Sequence, residues 1–168
     1  MKKFTLSLIL VFSCVSLPQL YAQDFTKNLQ DVFQQKLENR ELSKEDIQWR
    51  ITSRHTSKTS GVEHVYFVQT SNEIQVNGTQ SSIHILPSRK TLSSSISFFN
   101  KVSEKTNGIK SPSISAINAV QSAASKLGYS LNGSLTEVEK KSSASQETIL
   151  SDGGISLSNI PAKLTYQL

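Results

Sequence analysis

The stretch from Ile47 to Leu86 constrains this chain more than any other, because apolar and polar residues alternate along it between short turn signals. Ile47, Trp49 and Ile51 alternate with Gln48, Arg50 and Thr52, the period of a strand with one buried face. Thr59-Ser60-Gly61 marks a turn, and Val62 to Thr70 returns as a second strand. Ser71-Asn72 turns the chain again before Ile74 and Val76. Asn77-Gly78 fits a two-residue hairpin turn, since both residue types tolerate positive φ. Ser82 to Leu86 makes the next strand, with Ile83 and Ile85 on one face, and Pro87 to Lys90 closes it. Ahead of this meander, Asp24 to Glu41 reads as a helix whose Phe25, Leu29, Val32, Phe33 and Leu37 share one face. A helix with one apolar stripe beside a sheet with one apolar face predicts a helix lying across that sheet.

A similar order of elements follows. Ser93 to Ser113 is rich in Ser and Lys and reads as a connection, with Ile96, Phe98 and Phe99 added to the first core. From Ser115, a good N-cap residue, Ala116, Ala119, Val120, Ala123, Ala124 and Leu127 form an apolar stripe that Gly128 ends. So many alanines predict a helix that approaches its neighbour closely. Ser130 to Leu135, the polar run Glu137 to Gln146, and Thr148 to Leu168 complete the chain, and Leu164, Tyr166 and Leu168 alternate with polar residues. The expected class is α+β, with two small units over residues 23–107 and 108–168, each a helix packed on an antiparallel sheet. No residue-level repeat relates the two.

The first 22 residues set the expected destination. Lys2 and Lys3 precede an apolar run from Phe4 to Phe12, and Leu20-Tyr21-Ala22 ends in a small residue, the pattern of a secretory signal peptide. Cleavage is expected after Ala22. Val11-Phe12-Ser13-Cys14 loosely matches a lipoprotein signal but lacks the usual Leu three residues before the Cys. The only cysteine, Cys14, leaves with the signal, which excludes cysteine nucleophiles, cysteine zinc sites and iron–sulfur clusters from the exported chain. Residues 23–168 suffice to bury a core without staples. The formal charge of +5 includes Lys2 and Lys3. No basic run interleaves with aromatics, so nucleic acid is not an expected partner.

Catalytic patterns are sparse. Glu63-His64 has the residue types of a zinc peptidase, but that chemistry needs two His one helical turn apart flanking a Glu. His55, His64 and His84 have no such spacing and fall in expected strands or turns. A site assembled from all three across strands is geometrically possible, though nothing in the sequence asks for it. No serine sits in a Gly-x-Ser-x-Gly elbow, and no phosphate loop is present. Ser151-Asp152-Gly153-Gly154 reads as a tight turn, and Glu45-Asp46 as the end of a helix-to-strand turn. Asn77-Gly78-Thr79 and Asn132-Gly133-Ser134 match the glycosylation sequon, yet Asn-Gly is more simply turn chemistry. The expectation is a chain that is not itself an enzyme.

Trp49-Arg50-Ile51-Thr52, Gly61-Val62-Glu63-His64-Val65-Tyr66, Gln69-Thr70 and Ile74-Gln75-Val76-Asn77 together resemble the fungalysin/thermolysin propeptide (FTP) motif of secreted zinc metallopeptidase precursors. The alanine-rich helix up to Gly128, Gly153 to Leu157, and Ile160 to Tyr166 resemble the part of fungalysin-type precursors that follows. Two positions depart from the family pattern: Glu73 stands where the family has Gly, and Gln75 where it has Pro.

The resemblance implies two cystatin-like units acting as an inhibitory, folding-assisting propeptide, with a cognate zinc metallopeptidase domain as partner in cis or in trans. Zinc would belong to that domain and no cofactor to this chain. No His-Glu-x-x-His helix occurs in the 168 residues, so the expectation is a chain truncated before, or separate from, its peptidase. Under this reading His64, Gln69, Ile74, Val76 and Asn77 shape the central hairpin or touch the peptidase. Secretion without stable membrane insertion is expected after signal cleavage. A self-contained secreted binding or adhesion module with the same fold is the alternative.

Overall fold

The structure is a computed structural model and describes residues 18–168, with side chains from Phe25 onward. Most of the expected signal segment, 1–22, therefore lies outside the described residues. The first helix, α1, spans Pro18–Glu38, so the expected cleavage point after Ala22 falls within it, and it ends three residues before the predicted Glu41. Phe25, Leu29 and Phe33 are buried on one face of α1, as their spacing predicts, with Val32 packed alongside. A 3-10 turn at Lys44–Asp46 redirects the chain into β1, Trp49–Thr56.

Strand β2, Glu63–Ser71, is the centre of the fold. It pairs along its length with β1, and on its other side with both β3, Ile74–Val76, and β4, Ser81–Ile85. Strand β5, Thr91–Ser95, closes that side by pairing with β4. Val65 and Phe67 of β2 and Ile83 and Ile85 of β4 face α1 and form one core with its apolar stripe. Phe33 meets Phe67 at 6.5 Å between centroids and Phe98 at 5.3 Å, and Phe25 meets Trp49 edge-on at 5.5 Å. Ile96 and Phe98 pack against this cluster, as the sequence indicates.

Several expectations fail for identifiable reasons. Strand β1 does not keep one buried face, because a bulge between Ile51 and Ser53 shifts its register against β2. Ile51, just before the bulge, is 38% exposed although it stands opposite the buried Phe67. The hairpin turn between β2 and β3 is Asn72-Glu73, both at positive φ (50° and 64°). Asn77-Gly78 instead carries the chain along the same edge of β2 from β3 to β4, with only Gly78 at positive φ, 81°. The Ser93–Ser113 connection is partly ordered into β5 and a short helix α2, Val102–Lys105. All five residues of β5 are exposed, so its side chains give no periodic signal and backbone pairing alone defines it.

Beyond α2 the chain forms helix α3, Ala116–Lys126, capped by the Ser115 hydroxyl accepting from the Asn118 N–H. Strands β6, Glu137–Lys140, β7, Thr148–Leu150, and β8, Ile160–Ala162, make a three-stranded antiparallel sheet. Leu135 and Leu150 are its buried apolar residues. Of α3 only Ala124 is fully buried, whereas Leu127 is 73% exposed. The close approach expected of the alanine stripe is thus limited to one residue. Gly153 at φ 58° is required where it stands, since a Cβ there would meet Leu135 and Leu131 at 2.8 and 2.9 Å.

The last strand, β9, Thr165–Tyr166, leaves the small sheet and pairs in parallel with β3, Gln75 opposite Thr165 and Val76 opposite Tyr166. The first sheet is consequently mixed. The fold is a small α+β one, with helices and two sheets.

Candidate functional site

Two groups of polar side chains occupy opposite faces of β2, and the period of two along a strand separates them. The first group is buried. Gln69 is fully buried beside Val65 and Phe67, and its amide nitrogen donates to the carbonyls of Asp46 and Phe99, each at 2.8 Å. Its amide oxygen accepts from the Phe99 N–H at 3.0 Å. One side chain thereby joins β2, the 3-10 turn and the segment entering α2.

Asp46 completes this junction. Its Oδ1 accepts from the Val102 N–H at 2.9 Å, and its Oδ2 from the Ser43 N–H and hydroxyl, both at 2.8 Å. Burial pushes this carboxyl's pKa up, but backbone hydrogen bonds from Ser43 and Val102, with the Ser43 hydroxyl, outweigh it and hold the group below the ordinary range. Thr79 is equally buried: its hydroxyl donates to the Val76 carbonyl at 2.7 Å and accepts from the Gln69 N–H at 3.1 Å. The Ser81 hydroxyl donates to the Thr79 carbonyl and accepts from the Ser97 N–H, both at 3.0 Å. No buried side-chain polar atom among the described residues lacks a partner. A polar network so fully satisfied specifies one arrangement of the segments it joins.

The second group faces outward. Register sets His55 of β1 opposite His64 of β2, and His64 opposite His84 of β4. The His55 and His64 rings stack at 5.0 Å between centroids, and His64 meets His84 edge-on at 4.8 Å. Tyr66 lies one step along the same face, 6.1 Å from His55 and 6.0 Å from His84. The Nδ1 atoms of His64 and His84 are 2.8 Å apart, so one carries a proton and the other accepts it. His84 has a lowered pKa, first from burial and then from the neighbouring His64 and His55. Among the described residues no group of three or more His, Cys, Asp or Glu is arranged to hold a metal ion as it stands.

The five residues singled out from sequence have contrasting surroundings. Gln69, Ile74 and Val76 are fully buried. His64 is half-buried on the outer face. Asn77 is exposed, its side-chain amide donating to Gln167 at 2.7 Å and its backbone N–H to the Tyr166 carbonyl at 2.8 Å. Sequence reasoning missed Asp46, Thr79 and Ser81 as members of the buried network. Each is a short polar residue near a turn, and only the alternation of β2 and β4 could have signalled that Ser81 points inward. It also missed Gln75, whose amide oxygen accepts from Arg50 and from Lys163, each at 3.1 Å, tying the first sheet to the C-terminal strands.

The family model of the Fungalysin/Thermolysin Propeptide Motif matches residues 47–93. That stretch runs from just before β1 into β5, and it contains Gln69, Thr79, Ser81 and all three histidines. Among curated proteins no match to the chain is found. No helix among the described residues is long and apolar enough to cross a membrane.

Proposed function

We propose that this chain is the inhibitory and folding-assisting propeptide of a secreted fungalysin-like zinc metalloendopeptidase. The match of residues 47–93 to the propeptide motif carries this reading. Zinc belongs to the peptidase domain, and this chain supplies shape. Gln69, Ile74 and Val76 hold the central hairpin from within, while His64 and Asn77 are the members of the five that a peptidase could touch. Among the described residues strand β1, eight residues long, pairs only with β2 and has no strand on its other edge. An open edge of that length can lie along a substrate groove through backbone hydrogen bonds, in the manner of an added strand.

The test adds the purified chain to a mature fungalysin-type peptidase and, separately, to the same enzyme unfolded in denaturant. Inhibition of the first or a higher refolding yield of the second is expected. The absence of both effects would sink the propeptide reading and leave a self-contained binding module in its place.

A further inference from the structure

One stretch of chain joins the two regions and belongs to neither core. Residues 107–115 are exposed one after another, from the buried Thr106 at the end of α2 to Ser115 at the start of α3. Among the described residues no backbone N–H from Lys110 to Ser115 donates to another backbone group. Lys110 is the only charged residue in the stretch. We propose that the Lys110–Ser111 bond is a processing site for an endopeptidase that recognises a basic side chain, and that the cut molecule stays assembled through the β9–β3 pairing.

Every other described Lys or Arg lies in a helix or a strand, or beside a backbone hydrogen bond that ties its loop. Around Lys58, the Ser57 N–H donates to the Val62 carbonyl at 2.8 Å and the Gly61 N–H to the Ser57 carbonyl at 2.9 Å. The Leu86 and Arg89 N–H groups close the Arg89-Lys90 turn, and the Lys141 N–H donates to the Glu147 carbonyl at 2.8 Å. A peptidase binds its substrate extended, so each of those sites must open first, and the free energy of opening slows the cut. Lys110 needs no such opening. Its neighbours also single out one bond. The Tyr166 hydroxyl donates to the Ile109 carbonyl and so ties the bond before Lys110, while Ser111–Pro112 is a tertiary amide. Pro112 further biases Ser111 towards extended backbone.

Hydrolysis breaks the C–N bond between Lys110 and Ser111. One water molecule supplies the second oxygen of the Lys110 carboxylate and the two added protons of the Ser111 ammonium. Contacts across the cut remain. The fully buried Val76 stays opposite Tyr166 in the parallel pair. The Asn77 backbone N–H donates to the Tyr166 carbonyl at 2.8 Å, the Asn77 side-chain amide to Gln167 at 2.7 Å, and Lys163 to Gln75 at 3.1 Å. Cutting removes the tether that keeps these groups at high effective concentration, so residues 111–168 become a partner held by the clasp rather than by the chain. This inference does not rest on the propeptide reading, and either can fail alone.

The experiment exposes the full, folded chain to a lysine-specific endopeptidase for short times and follows the products by intact mass. The first cut should fall between Lys110 and Ser111, at least about tenfold faster than after any other lysine from Lys27 onward. In urea that preference should vanish. Lys110→Gln should abolish the early cut. On gel filtration at the digestion concentration the two pieces should elute together. An earlier cut at one of those other lysines, a preference that persists in urea, an early cut that survives Lys110→Gln, or pieces that elute apart would each overturn the proposal.

Discussion

The region around β2 and the region around α3 use the same kinds of element with very different degrees of closure. In the first, Phe25, Leu29, Phe33, Val65, Phe67, Ile83 and Ile85 are all buried in one cluster. The polar groups among them have partners, and Gln69 and Asp46 bind neighbouring backbone as firmly as the apolar residues fill space. In the second, Ile109, Ile114, Leu127, Tyr129, Val138 and Leu157 stay exposed, and α3 buries a single alanine fully. The first region satisfies its own side chains. The second holds its shape through a three-stranded sheet, glycine-dependent loop packing and the β9–β3 pairing, and it leaves apolar surface for something else to cover.

This contrast can be broken at its strong end. Phe67→Ala removes a fully buried ring that meets Phe33, Trp49 and Phe98. A loss of about 3–5 kcal/mol in urea unfolding is expected, enough to unfold a marginal domain. A loss below about 1 kcal/mol would mean that the two regions are equally soft.

Gln69→Leu keeps the volume but leaves the Phe99 N–H and two carbonyls without their partner. It should cost about 3 kcal/mol and speed amide exchange at Phe99 above the rest of the sheet. Unchanged exchange there would show that the buried network does not hold the α2 entry.

Glu73→Gly should act in the opposite direction. Glu73 sits at φ 64°, where a Cβ is unfavourable and where the propeptide pattern has Gly. A gain of about 1 kcal/mol is expected in thermal or urea unfolding. No gain would mean that the turn is already unstrained.

The smallest effect belongs to the open end of the comparison. Leu127→Ser, at a residue 73% exposed, should change stability by less than about 0.5 kcal/mol. Its effect should appear instead as weaker inhibition if the α3 face meets the peptidase. A large loss of stability would place Leu127 in a core and remove the contrast.

What could be read from the sequence follows the same division. The stripe of α1 and the inward residues of β4 were legible because burial on one face imposes a fixed period on Phe25, Leu29, Phe33, Ile83 and Ile85. The bulge in β1 was not, because one extra residue in a strand leaves composition unchanged while shifting every later side chain. The turn read at Ser71-Asn72 lies one residue early, because Asn72-Glu73 adopts the needed φ angles without glycine, and Asn77-Gly78 makes no hairpin because β3 and β4 both pair with β2. The histidine row was raised only as a geometric possibility for a related reason: its members meet only once two registers are fixed. Gln69 was picked out from the propeptide pattern, but the backbone groups it binds lie 23 and 30 residues away.

The parallel pairing of β9 with β3 has a consequence for how the molecule comes together. The Asn77–Gln167 bond beside it joins residues 90 positions apart, so the clasp closes a loop more than half the length of the chain. Closing so long a loop costs only slightly more entropy than a short one, but it requires both partners to be formed first. Wherever the clasp is open, the free side of β3 is a bare row of backbone donors and acceptors open to any extended strand. In that state the C-terminal strand and other chains are rivals for one slot.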